Sequence, residues 1–291
     1  MNTQKRMTLA DMWRIIYPLV TYNAITFFLT FLASMLAMAA TARGYAEITD
    51  IEDYTAFLQD GLQLITAHVY EIQMAAAVIT IPLLLLYRRM DRERLAGTEP
   101  VPTYEPVSPF LYVFVIVAGL AASLIGNNIL FLSGLMQSSE AYVETTEALI
   151  KGNFILELIG LGILIPICEE LIFRGLMYSR IREFLPVTYA AVLCSVCFAF
   201  SHGNIVQGLF AFFLGLLMIY LLERYHSLWA PILFHATSNI LAVVQGEKGL
   251  LDAMYQENGT VLLIIVSVVS LAVLAGVLLL IEKVVHSEEV K

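Results

Sequence analysis

The sequence contains few charged residues for its length. Only 14% of its 291 residues are Asp, Glu, Lys or Arg, whereas a soluble domain carries about 25%. Hydrophobic residues make up 59% of the chain, and they form long runs separated by short polar connections. The composition therefore excludes an ordinary soluble domain and predicts an integral protein of a lipid bilayer.

Other features are also missing. The net charge is −9, so no basic surface is expected and no nucleic-acid partner is predicted. The chain has three cysteines, Cys168, Cys194 and Cys197, all within apolar segments. Because their number is odd and their surroundings apolar, we expect no disulfide and interpret the Cys194–Cys197 spacing as two buried residues one turn apart. Neither a GxSxG nor an HExxH motif occurs.

Long apolar windows indicate the fold class, since a membrane span needs about 20 such residues. We predict an all-α protein, a polytopic transmembrane bundle of about eight membrane helices, some of them short or broken around a central polar cavity. The whole chain, 1–291, is expected to form a single integral membrane domain, with a short surface helix over 46–63. The predicted spans are 14–41, 64–87, 109–135, 153–173, 187–202, 207–222, 229–245 and 260–282.

Arginine and lysine residues concentrate on alternate connections between these spans. The connection 88–108 holds four arginines, and others follow in 174–186 and 223–228. By the positive-inside rule, these connections and both termini are predicted to lie in the cytoplasm.

Two adjacent glutamates, Glu169 and Glu170, lie in an otherwise apolar segment. A charge at the bilayer centre costs about 2.5–3.5 kcal/mol on insertion scales, so such groups usually face a cavity and serve a function. Neighbours on a helix point in different directions, and Arg174 shares a face with Glu170. We therefore expect Glu170 to pair with Arg174, and Glu169 to face elsewhere as a candidate general base. Alternatively, the pair simply marks a cytoplasmic helix end.

Two histidines follow in later apolar segments. A helix beginning at Pro186 meets Gly203 after 16 residues, about 25 Å, so His202 is expected at a helix end beside a water-filled pocket. His235 and Asn239 share one helical face, and two hydrogen-bond donors there can hold an oxyanion. The alternative for each is a structural hydrogen bond between helices.

These residues form three motifs on successive apolar segments, in an order that resembles the CAAX-protease and bacteriocin-processing family of intramembrane proteases. This family, also called Abi, includes the type II CAAX prenyl endopeptidases. The resemblance covers about 150–245. The motifs are Glu169-Glu170-x-x-x-Arg174, Phe198-x-x-x-His202 and His235-x-x-x-Asn239.

The resemblance implies a role for each residue. Glu169 would activate a water with the help of His202, and His235 with Asn239 would stabilise the oxyanion. The neighbouring glutamate–arginine pair would hold the motif helix in place. The implied activity is that of an endopeptidase acting within the membrane.

The resemblance leaves the question of a metal open. Glu169, His202 and His235 could supply three ligands to a divalent metal such as zinc. The glutamate-base scheme needs no ion, so we favour a mechanism without metal or other cofactor.

The expected substrate is a membrane-associated peptide or protein. Chains ending in a lipidated cysteine are one class, and peptide or bacteriocin maturation or self-immunity would supply another. The alternative function is that of a non-catalytic membrane protein of the same fold, either a scaffold or a proton-coupled transporter, because buried glutamates and histidines also suit a proton relay.

Overall fold

The computed structural model describes residues 6–45, 50–96, 107–149, 153–247 and 259–289, and within them the regular structure is helical. Short 3₁₀ turns occur at Ala42–Gly44 and Pro109–Leu111, and π-helical segments at Gly160–Leu164 and Phe173–Tyr178. The α-helices are α1 (Leu9–Thr41), α2 (Ile51–Thr66), α3 (Val69–Ala96), α4 (Tyr112–Leu132), α5 (Leu135–Ser138), α6 (Glu140–Leu149), α7 (Phe154–Ile159), α8 (Ile165–Ile172), α9 (Ser179–Ile181), α10 (Val187–Phe200), α11 (Ile205–Tyr225), α12 (Trp229–Glu247) and α13 (Gly259–Glu289).

Helices occupy all eight of the predicted membrane segments. In the described part of the chain, five are long and apolar enough to cross a membrane unaided, namely α1, α3, α4 with its preceding turn, α11 and α13. Of the others, α10 has only 14 residues, α12 carries polar side chains, and the 153–173 segment is broken by π turns. The prediction of a polytopic helical bundle is confirmed, and the chain is a multi-pass membrane protein.

The prediction of a span over 64–87 is wrong at both ends. Residues 64–66 complete α2, and α3 runs over Val69–Ala96. The last turns of α3 are charged, and an Arg89–Glu93 pair at 2.8 Å supports them. The surface helix expected over 46–63 corresponds to α2, which Asp50 caps by accepting a hydrogen bond from the Asp53 N–H at 2.9 Å. Residues 46–49 lie outside the described part.

The segment that carries the glutamates is one interrupted rod from α7 to α9, which we call the motif helix (Phe154–Ile181). Pro166 lacks an N–H, so the Gly162 carbonyl cannot receive its usual helical hydrogen bond. The π-helical turn Gly160–Leu164 directly precedes this proline. Such turns rotate the following residues relative to a regular helix and commonly occur at functional sites.

Helix α12, which carries His235, packs closely along α4. A Cβ on Gly119 would lie 2.7 Å from the Phe234 carbonyl oxygen, so only glycine permits this approach. The Ser238 hydroxyl donates to the Gly119 carbonyl at 2.9 Å, and the Asn127 amide donates to Gln245 Oε1 at 2.9 Å. These contacts hold α12 in position along much of its length.

Ion pairs join α1, α3 and the end of the motif helix at one end of the bundle. Arg180, only 1% exposed, donates to Asp91 Oδ2 at 2.7 Å and also to the Arg14 carbonyl. Glu183 accepts from Arg94 at 2.6 Å and from Arg14. We call this the arginine-rich end. Its contacts fix the orientation of the motif helix relative to the first helices.

Substituting Asp91 by asparagine is expected to destabilise the protein by roughly 2–4 kcal/mol, because it leaves the buried Arg180 guanidinium without its carboxylate. Thermal unfolding in detergent measures this as a lower midpoint temperature. The matched control is Glu93→Gln on the same helix, whose pair with Arg89 is exposed, so its midpoint should not change. Equal midpoints for both variants would contradict a stabilising role of Asp91.

Candidate active site

Glu170, on α8, forms a buried ion pair with Arg174. Its Oε1 atom lies 2.7 Å from Arg174 Nη1, and both side chains are 0% exposed. Arg174 also donates to the Gly215 carbonyl of α11 at 3.4 Å. A charge pair removed this completely from solvent persists only when its geometry and hydrogen bonds are good. The pair therefore ties the motif helix to α11 from inside the bundle.

Glu169 faces a cavity and His235. Its side chain is 20% exposed, and its Oε2 atom lies 3.6 Å from His235 Nε2. The other ring nitrogen of His235, Nδ1, lies 2.8 Å from Glu170 Oε1. A carboxylate only accepts hydrogen bonds, so Nδ1 carries a proton. Hence Nε2 is the nitrogen that can gain or lose a proton opposite Glu169, and one imidazole connects both glutamates. This connection was not predicted from the sequence.

His202 lies just beyond α10, at the turn to α11. Its Nδ1 donates to the Phe198 carbonyl at 2.8 Å, which leaves Nε2 as the nitrogen available to the cavity. Gly203 follows with φ of 75°, a left-handed conformation that favours glycine. Asn204 then caps α11 by accepting from the Gln207 N–H at 2.9 Å. This short turn sets the position of His202.

Asn239 lies one turn after His235 on α12. Its amide donates to the Leu161 carbonyl at 3.0 Å, within the first π-helical segment. A π turn leaves backbone groups without regular helical partners, and this side chain supplies one. One of the two N–H groups of the Asn239 amide is therefore used in this structural hydrogen bond. The second N–H takes no part in it.

The Phe198 ring contacts three of the motif side chains. The Arg174 guanidinium carbon is 4.3 Å from its centroid, and the rings of His202 and His235 lie 4.8 and 5.7 Å away, both edge-to-face. Phe198 itself is 1% exposed. It thus separates the buried arginine from the cavity and orients both imidazoles.

A cavity of about 470 Å³ connects these groups. Glu169, His202, His235 and Asn239 all line it. Several other polar residues also line it that were not predicted as site residues, although each stands out in the sequence as an amide or hydroxyl near an apolar segment. They are Gln73, Asn127, Tyr142, Ser201 and Gln207.

The second π-helical segment, Phe173–Tyr178, directly follows α8. The Cys194 thiol donates to the Phe173 carbonyl at 3.2 Å, and the Ser179 hydroxyl donates to the Arg174 carbonyl at 3.0 Å. The Cys194 thiol thus serves a structural hydrogen bond. All three cysteines, Cys168, Cys194 and Cys197, are free thiols.

The alternative metal ligands can be tested against this geometry. Among the described residues, no three His, Cys, Asp or Glu side chains form a group that could hold a metal ion. The donor set Glu169, His202 and His235 is therefore not assembled as a metal site here. His235 in addition directs one ring nitrogen to Glu170.

Two comparisons with known proteins give a match to part of this chain. Residues 151–241 match the family described as type II CAAX prenyl endopeptidase Rce1-like. A Bacillus subtilis (strain 168) protein named "Putative membrane peptidase YdiL" is 26% identical over 148 residues, which are 47% of this chain and 59% of that protein. No solved structure shows a significant match.

The chain is thus a polytopic helical membrane protein with a polar cavity inside its bundle. Its residues 151–241 match the type II CAAX prenyl endopeptidase family, which is the resemblance that the three motifs predicted. The matched segment contains all seven motif residues.

Proposed function

We propose that this protein is an intramembrane endopeptidase that hydrolyses peptide bonds of membrane-associated chains. The observation that carries the proposal is the convergence of Glu169, His202 and His235 on one cavity. The family match and the name of the B. subtilis relative support the same reaction class. Without a shared site, three helices would each carry polar groups into an apolar bundle, where burying them costs free energy, for no common function.

In the proposed mechanism, Glu169 and His202 Nε2 hold a water between them. Glu169 takes a proton from this water while its oxygen attacks the scissile carbonyl carbon. The new C–O bond forms as the carbonyl π electrons move to the oxygen, which gives a tetrahedral oxyanion. His235, protonated at Nε2, and the second N–H of Asn239 donate hydrogen bonds to that oxyanion.

Collapse of the intermediate completes the reaction. The carbonyl re-forms, the C–N bond breaks, and Glu169 passes its proton to the departing nitrogen, so that water is consumed and a carboxyl and an amine result. Glu170 keeps His235 Nδ1 protonated and its ring oriented, as the carboxylate partner of a catalytic histidine does elsewhere. Arg174 holds Glu170 and therefore acts indirectly.

The test is hydrolysis of a fluorogenic membrane-peptide library by the purified protein in lipid vesicles. His202→Ala is expected to lower the rate by about 100-fold or more, since it removes one of the two groups that position the water. His235→Ala should do the same. A matched control is His68→Ala, which removes an exposed histidine that pairs with Glu71 at 3.2 Å. Wild-type rates in His202→Ala and His235→Ala would show that these histidines are not catalytic, and a wild type without hydrolysis would favour the scaffold alternative.

We also expect hydrolysis by this protein to be independent of metal ions. Because no metal-binding group is assembled among the described residues, we propose that the reaction needs no ion. Treatment with a strong chelator, followed by assay in metal-free buffer, should leave the rate unchanged. Loss of activity that added Zn²⁺ restores would overturn this point, and elemental analysis of the purified protein gives an independent readout.

We also propose an orientation in the membrane and a class of substrate. We place both termini and the arginine-rich end in the cytoplasm, by the positive-inside rule. The substrate class is a peptide or protein anchored in the same membrane, with maturation of a secreted peptide or self-immunity as the biological setting.

A further inference from the structure

We propose that the cavity receives its substrate from the end of the bundle opposite the arginine-rich end, and that the protein cleaves an internal peptide bond of an anchored chain on the extracytoplasmic side. This inference rests on the proposed function and adds to it the side and the type of substrate. A substrate with a lipidated C-terminus in the cytoplasm would instead require an entrance at the arginine-rich end.

The entrance is identified by where the lining residues lie along their helices. Helices α3 and α11 begin at the end of the bundle opposite the arginine-rich end. Helices α4 and α12 run the other way, and their last turns lie at that same opposite end. Lining residues cluster close to those helix ends or just beyond them, namely Gln73 on α3, Asn127 and Leu130 on α4, Met136 and Tyr142 after it, Gln207 on α11, and Val243 and Gly246 on α12. Ser201 and Gly246, which belong to this rim, are exposed.

The opposite direction is closed by close packing. Every residue from Glu170 to Tyr178 is buried, and so is Phe198. Beneath them the Tyr178 hydroxyl donates to Glu223 at 2.9 Å, and the Tyr225 hydroxyl donates to the Leu111 carbonyl at 2.9 Å. The described residues between the cavity and the arginine-rich end are therefore closely packed along this part of the motif helix.

The depth of the site agrees with this direction. His235 lies six residues into α12 from its arginine-rich end, or about 9 Å, and Gly246 lies about 25 Å from that end at 1.5 Å per residue. The reactive groups thus form the floor of the cavity, about a third of the way into a bilayer core of about 30 Å as counted from the arginine-rich end. A substrate reaches them by passing the outer rim.

The chemistry of the lining indicates the type of substrate. None of the described lining residues is lysine or arginine, and the rim provides amides and hydroxyls from Gln73, Asn127, Gln207, Tyr142 and Ser201. A free C-terminal carboxylate finds no lysine or arginine at this rim, whereas amide groups suit the N–H and C=O groups of an extended chain. The lining therefore fits an uncharged internal segment of a polypeptide and disfavours a carboxypeptidase.

The side of the entrance is tested by labelling with a membrane-impermeant maleimide in intact and permeabilised bacterial cells that express the full chain. Ser201→Cys and Gln207→Cys at the rim are made in a Cys197→Ala background, because Cys168 and Cys194 are buried. We expect both to be labelled in intact cells. The control Glu93→Cys, exposed at the arginine-rich end, should react only after permeabilisation. Rim labelling restricted to permeabilised cells would overturn the inference.

Cleavage is tested with two reporter libraries, each a single apolar span followed by about ten randomised residues, a length that spans roughly 35 Å when extended. One library presents the randomised segment outside and the other in the cytoplasm. Release of the outer tag by wild type, and not by Glu169→Gln, supports the inference. Cutting of the cytoplasmic library alone overturns it and leaves the proposed function standing. No cutting of either, with the rim labelled from outside, rejects the proposed function itself.

Discussion

Replacing Glu169 by glutamine is expected to lower the hydrolysis rate by about 100- to 10,000-fold, the range that a positioned general base contributes. Glutamine has nearly the same size and still forms hydrogen bonds, but it cannot take a proton from water. Glu169 is partly exposed to the cavity and is not the partner of Arg174, so the fold should survive the change. The effect should appear in kcat, with KM little altered, because substrate contacts at the rim remain.

The matched control for this substitution is Glu71→Gln. Glu71 is also a carboxylate within a membrane helix, but it contacts His68 at 3.2 Å and does not line the cavity. Its rate should equal that of wild type. If Glu169→Gln retained the wild-type rate while the folded state was intact, Glu169 would not be the base and the proposed mechanism would be wrong.

Replacing Arg174 by methionine is expected to have the largest effect on stability. The guanidinium and the Glu170 carboxylate lie 2.7 Å apart with no exposed side-chain surface. Removing one partner of such a pair costs roughly 3–5 kcal/mol, because the other charge stays buried without compensation. His235 shares Glu170, so hydrolysis should fall together with the amount of folded protein. Detergent-solubilised yield and the unfolding midpoint measure the stability loss.

Arg224→Met provides a closely matched comparison. Arg224 pairs with Glu282 at 2.7 Å, the same distance, but the two side chains are 33% and 47% exposed. Solvent screens this pair, and its loss should cost at most about 1 kcal/mol. A similar midpoint for the two variants would show that burial does not determine the value of the Glu170–Arg174 pair.

Patterns within one helix were sufficient to predict several features of this protein. The i, i+4 spacing of Glu170 and Arg174 was sufficient to predict their ion pair, because neighbours on one helical face are close whatever surrounds them. The short helix before His202 was likewise predictable from Pro186 and Gly203, and α10 ends at Phe200. Hydropathy located all eight helical segments, since span length follows from bilayer thickness.

The missed features depend on contacts between distant segments. The span predicted from residue 64 begins at Val69 because residues 64–66 complete the separate helix α2, a boundary that hydropathy does not mark. The two π-helical turns have no reliable signature of their own. Their backbone carbonyls are satisfied by Asn239 and Cys194, which come from other helices.

By itself, the sequence determined the membrane class, the helical segments, the motif residues and the resemblance to a family. Each of these depends on composition or on spacing within one helix, and such properties need no knowledge of the neighbours. Only the tertiary structure decided that one imidazole joins both glutamates, that Phe198 lies against Arg174 and two histidines, and that the cavity lies toward the end opposite the arginines. These depend on how helices rotate and cross, which is set by close packing of contacts such as Gly119 against Phe234.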